Sequence, residues 1–148
     1  MAPRTERARR PAAAGYPSPV DETLPAVQLS LTFLPEPRSC GLARNAVRDF
    51  CAAQGMTELS DDAVLLTSEL VGNAVEHAGT PITLTALSRG GHLSVRVTDD
   101  NAGRAIRGTA EPELLSERGR GLLVVDAIAA EWGTPRHGTG KSVWFRLP

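Results

Sequence analysis

Residues 59 to 79 read LSDDAVLLTSELVGNAVEHAG, and no other stretch limits the possible folds as strongly. At about 100° per residue, Ala63, Val64, Leu70, Val71, Ala74, Val75 and Ala78 gather along one arc of a helix. Glu69, Asn73, Glu76 and His77 fall within an opposite arc of about 100°, with Asp62 on the same side. The pattern predicts a helix capped by Ser60, with acids in its first turn and Gly79 at its end. A helix with one apolar stripe must lay that stripe on a partner layer, and the segments that follow supply one. Two strands are expected at about 82 to 88 and 92 to 98, joined by the turn RGGH. In the second, Leu93, Val95 and Val97 alternate with Ser94, Arg96 and Thr98, the period of a half-buried strand.

Upstream, VQLSLTFLP alternates Val27, Leu29, Leu31 and Phe33 as a strand that stops at Pro35. A helix is expected from about Pro37 to Gln54, with Leu42, Ala46, Val47, Phe50 and Cys51 on its apolar stripe and Gly55 as its cap. Downstream, residues 100 to 119 lack periodicity and read as a long loop, a class that is usually functional or mobile. GLLVVDAIAAEWG then reads as a short helix, apolar nearly all round and therefore buried, before strands near 131 to 135 and 141 to 147. The order β, α, α, β, β, loop, α, β, β describes an α+β fold: a two-layer α/β sandwich with helices on one face of a mixed, mostly antiparallel sheet. Residues 1 to 26, rich in Arg, Pro and Ala, offer too little apolar surface to offset ordering entropy and read as a disordered tail, leaving 27 to 148 as the domain.

A formal net charge of −1 gives the chain no general pull toward nucleic acid or an anionic membrane. No stretch approaches the roughly 18 apolar residues of a membrane span, and no apolar segment follows the N-terminal RARRP as a secretory signal would require. Cys40 and Cys51 stand alone, without a second pair or a nearby His at metal-ligand spacing, and read as two reduced thiols of a cytoplasmic protein.

The polar face of the long helix is compatible with simple solvation, yet two features point to a cleft. Asn73 is a poor helix former in mid-helix, and Leu65 and Leu66 flank the polar arc. An amide oxygen suits Mg²⁺, and the Glu69 carboxylate one turn earlier could orient or deprotonate a hydroxyl attacking a phosphoryl group. Three further segments could complete a nucleotide site. VTDDNAG ends a strand with Asp99, an acceptor for an adenine amino group, followed by Asn101 and Gly103 in what is equally a good turn. ERGRGLLVVD sets Gly119 and Gly121 where the loop enters a helix, whose first N–H groups suit phosphate, with Arg118 and Arg120 adding charge. GTGKSVWFRLP superficially resembles a GxxxxGK[ST] phosphate loop, but it precedes a strand rather than a helix, which excludes that reading.

In this order, ELVGNAVEH, DDNAG and GRGLLVVD resemble the N box and the two glycine boxes of the GHKL superfamily, the Bergerat ATP-binding fold, over roughly residues 28 to 148. The compact form, with SELVGNAVEHAG and the closing GKSVWFRLP, looks most like the bacterial anti-sigma factor serine/threonine kinases. The resemblance implies ATP and Mg²⁺ as cofactors, Glu69 as catalytic base and Asn73 as Mg²⁺ ligand. Asp99 would be the adenine contact and Ser142 would lie near the adenine pocket. Asn101, Gly103, Arg118, Gly119, Arg120, Gly121 and Leu122 would border the nucleotide. Histidine kinases usually carry Asn where this chain has Glu69 and Lys where it has Glu76, and the helical hairpin with a phosphoacceptor His is lacking. Asn101 stands where the first glycine of Asp-x-Gly-x-Gly normally falls, which narrows the adenine pocket.

Two functions from different classes follow. One is a kinase that phosphorylates an anti-anti-sigma-like protein and sequesters a sigma factor, with the homodimer common in that family, and without direct contact to nucleic acid or membrane. The other is a non-catalytic, nucleotide-gated protein-binding module whose 104 to 118 segment serves as a lid. A freestanding ATPase is disfavoured, because the larger hydrolytic relatives carry a transducer domain. His77 reads as a packing or N-box-completing residue, His92 and His137 as loop residues, and Trp132 and Trp144 as core aromatics.

Overall fold

The computed structural model describes residues 23–77, 79–99, 119–134, 136–137 and 140–148. In chain order its elements are β1 (Ala26–Phe33), α1 (Arg38–Ala53), α2 (Thr57–His77), β2 (Ile82–Arg89), β3 (His92–Asp99), α3 (Gly119–Ile128), β4 (Glu131–Gly133), β5 (Arg136–His137) and β6 (Gly140–Leu147). The strands form one sheet of order β1-β2-β3-β6-β4, with β5 also pairing β6. Every described pairing is antiparallel, so the α+β two-layer sandwich holds, and no parallel pair occurs among the described residues.

The RGGH turn folds as its glycines require. Gly90 and Gly91 take φ of 59° and 80°, the left-handed values of a two-residue hairpin turn, and Arg89 pairs with His92 across it. His92 is therefore a strand residue, as is His137 in β5. This register turns Ile82, Leu84 and Ala86 to the same face as Leu93, Val95 and Val97, and all six are buried. Full burial of a Val, Leu or Ile side chain is worth roughly 1.5–3 kcal/mol, so this face is a main source of stability.

Helices α1 and α2 form an antiparallel hairpin over that face. Gly55, at φ 70°, lets the chain reverse, and the Met56 N–H donates to Cys51 O at 2.8 Å. The reversal is so short that α2 restarts at Thr57, which puts Ser60 inside its first turn rather than at the cap. The buried stripe of α1 is Ser39, Ala43, Val47, Phe50 and Cys51; Val47, Phe50 and Cys51 are as expected, but Ala43 replaces Leu42, which is 50% exposed, and Ala46 is half-buried. Ser39 tolerates burial because its hydroxyl donates to Leu34 O at 2.6 Å.

The third helix ends at Ile128, earlier than its apolar run implies, because Glu131–Gly133 pairs with β6 instead. The Ala130 N–H donates to Arg146 O at 2.9 Å, and the Trp132 indole N–H donates to Asp126 Oδ1 at 2.9 Å, tying the new strand back to the helix. Nor is α3 buried all round: Val125 is fully covered but Leu123 is 59% exposed. Trp132 joins the core, whereas Trp144 is buried on the opposite face of the sheet, outside the main apolar cluster. The sequence-expected tail and the 100 to 118 loop lie outside the described residues, apart from the short lead-in from Thr23 to β1.

Candidate functional site

The apolar face of β3 ends in a carboxylate. Leu93, Val95, Val97 and Asp99 share one side of the strand, and Asp99 is only 4% exposed at its end. A carboxylate so placed is costly unless polar groups meet it, and Asp99 does take part in a polar or electrostatic interaction within the protein. Asp99 pairs with Ile82 on β2 and with Lys141 on β6, and Lys141 in turn pairs with Arg136 on β5. Directly paired residues of antiparallel strands share a face, so the half-buried Lys141 stands beside Asp99 on the helix side.

Ser142 lies on the other side. It pairs with Thr98, and the two hydroxyl oxygens are 2.8 Å apart within hydrogen-bonding reach, with Ser142 fully buried. Lys141 is thus the residue of β6 that reaches the Asp99 row. The signal for it was present in the alternation of Val143, Phe145 and Leu147, which, carried back two residues, selects Lys141.

Helix α2 packs on β3 and β6, with α1 on one flank and α3 on the other. Its buried residues are Ala63, Leu66, Thr67, Leu70, Val71 and Ala74. Glu69 and Asn73 border this stripe and are half-buried, one helical turn or about 6 Å apart along the axis. His77 is also half-buried, whereas Asp62 and Glu76 are exposed. The proposed polar arc therefore splits: the Glu69–Asn73 edge is partly shielded from water, and the Asp62 and Glu76 positions are solvated. Beside Glu69, the Arg44 guanidinium donates to Ser68 Oγ at 3.1 Å and ties this part of α2 to α1.

Gly119, Arg120, Gly121 and Leu122 form the first turn of α3. The first N–H groups of such a helix lack intrahelical acceptors, and glycine there leaves room for an anion to approach. Asn101, Gly103 and Arg118 lie outside the described residues. Cys40 and Cys51 are free thiols, and burial pushes the Cys51 thiol above its ordinary value. Among the described residues no group of three or more His, Cys, Asp or Glu side chains could hold a metal ion, and no helix is long and apolar enough to cross a membrane.

A sheet covered on one face by helices, a buried acid ending a central strand, and a Glu–Asn pair on the covering helix now stand together. The family model for the histidine kinase-like ATPase domain matches residues 33–147. The chain belongs to that family. No curated protein matches it. As a histidine kinase-like ATPase domain it is of the GHKL type, and ATP is the ligand that this membership implies. The donor set fits that ligand: Asp99 offers an acceptor for the base, the α3 N-terminus offers N–H groups for phosphate, and Asn73 offers a neutral oxygen for a hard cation.

Proposed function

We propose that the chain is a cytoplasmic serine/threonine protein kinase of the anti-sigma type, dependent on ATP and Mg²⁺. Its substrate is a serine of an anti-anti-sigma-like protein, and its second output is sequestration of a sigma factor. The observation that carries this reading is the partly shielded pair Glu69 and Asn73, one turn apart on the helix that packs over the Asp99 strand. Glu69 is the base that accepts the serine hydroxyl proton. Asn73 would hold Mg²⁺ through its amide oxygen, a neutral hard donor of the kind that ion prefers. Asp99 accepts from the amino group of the base, and the first turn of α3, with Arg118 and Arg120, holds phosphate. ATP supplies the phosphoryl group when bound.

The test uses the purified chain, Mg²⁺ and ATP with a purified anti-anti-sigma-like protein, read as phosphoserine on the partner. Glu69→Gln is expected to leave ATP affinity within about twofold and to slow transfer by about 10²–10⁴-fold, the usual contribution of a general base. Asn73→Ala is expected to remove the Mg²⁺ dependence of ATP binding. The second reading, a non-catalytic module gated by nucleotide, is favoured by Asn101 at the position of a customary glycine. Nucleotide-dependent partner binding that is identical in the wild type and in Glu69→Gln, with no phosphoserine formed by either, would establish it.

A further inference from the structure

We propose that Lys141 is a second base-reading residue: its ammonium donates to the purine ring nitrogen beside the amino group that Asp99 accepts. The inference rests on the reading of Asp99 as the base contact and adds to it a residue that the motifs did not single out. Four observations carry it. Asp99 and Lys141 are a directly opposed antiparallel pair, which sets their Cβ atoms about 4.5–5.5 Å apart on one face. Asp99 is nearly buried and Lys141 is half-buried, so both are at the margin of the covered layer and not on open surface. The sheet's other cations with described side chains, Arg89, Arg96 and Arg146, alternate onto the opposite face. Lys141 is also the only lysine of the chain.

The chemistry of the two groups is complementary to one edge of adenine. An ionised carboxylate only accepts and an ammonium only donates, whereas the adenine amino group donates and the ring nitrogens on either side of it accept. Two side chains on neighbouring strands, about 4.8 Å apart, can therefore engage adjacent atoms of one purine edge. A lysine that served only to neutralise Asp99 would be indifferent to which ring atoms the ligand carries.

That difference defines the experiment. ADP, 1-deaza-ADP and 7-deaza-ADP are titrated calorimetrically into the full chain, into Lys141→Met and into Asp99→Asn. On the wild type, one of the two deaza compounds is expected to bind about tenfold more weakly than ADP, the loss of one charge-assisted hydrogen bond. On Lys141→Met, ADP is expected to fall to that same affinity, and the deaza substitution to cost nothing further. Equal wild-type affinity for all three ligands overturns the proposal without recourse to any variant. So does a Lys141→Met variant that weakens all three by one common factor. If Asp99→Asn weakens ADP binding by about 10- to 100-fold in either of those cases, only this inference falls. If the wild type binds none of the three, the nucleotide reading fails and takes this one with it.

Discussion

Leu93 and Asp99 stand at opposite ends of one face of β3, buried to nearly the same degree and differing entirely in chemistry. Leu93, Val95 and Val97 face β2 and the helices and gain free energy by leaving water. Asp99 has the same orientation and pays a desolvation penalty there. The comparison teaches that the fold is stabilised at the hairpin end of the strand, while its other end carries a buried carboxylate that adds no apolar burial and that we propose reads the base. Burial alone does not separate the two; only the identity of the residue does.

The comparison breaks most visibly if the apolar end proves expendable. Leu93, fully buried and paired with Ser88 beside the turn, should cost about 2–5 kcal/mol when changed to Ala, measured by urea unfolding. Next in size, Asp99→Asn should lower ADP affinity by about 10- to 100-fold while moving the unfolding free energy by less than about 1 kcal/mol. An Asp99→Asn variant that is clearly destabilised yet keeps wild-type affinity would reverse the assignment of roles. Gly91→Ala, which forces a side chain into φ 80°, should destabilise by about 1–2 kcal/mol and leave nucleotide affinity unchanged, because the turn belongs to the hairpin end.

The smallest effect concerns the helix layer. Burial raises the Cys51 thiol above 9.0, so the folded state holds its proton more tightly than the unfolded state. Its contribution to stability is thus fully present below pH 9.0 and is lost as pH rises from there through the folded value. Cys51→Ala should flatten the alkaline limb of a stability profile recorded by urea unfolding between neutral pH and pH 10, relative to the wild type.

Much of this arrangement was legible in the residues. The β2–β3 hairpin followed from strict alternation around two glycines, and α2 from a long apolar period, because both signals are local. The stripe of α1 was legible in its second half, at Val47, Phe50 and Cys51, but not in its first, since Leu42 and Ala43 are both apolar and only packing decides which turns inward. The end of α3 was hidden because no Gly or Pro interrupts the run from Leu122 to Trp132, and its boundary comes from a long-range pairing with β6. Lys141 was given no role for a related reason. Its neighbour Ser142 carries the more suggestive hydroxyl, and the choice between them depends on which face of the sheet each occupies, a property of register rather than of composition.

The position of β6, inserted between β3 and β4, also governs when the protein can be assembled. On a translating ribosome, β1, the helical hairpin, β2 and β3 emerge first and can associate, but β3 keeps an unpaired edge and Asp99 lacks its neighbour until residues 140–147 are free of the exit tunnel. Every nascent chain in which those residues are not yet free presents an incomplete sheet, and the Asp99 row stays open until they pair. Newly made protein should therefore become competent for ligand abruptly, once β6 has emerged, and not in proportion to the length already made.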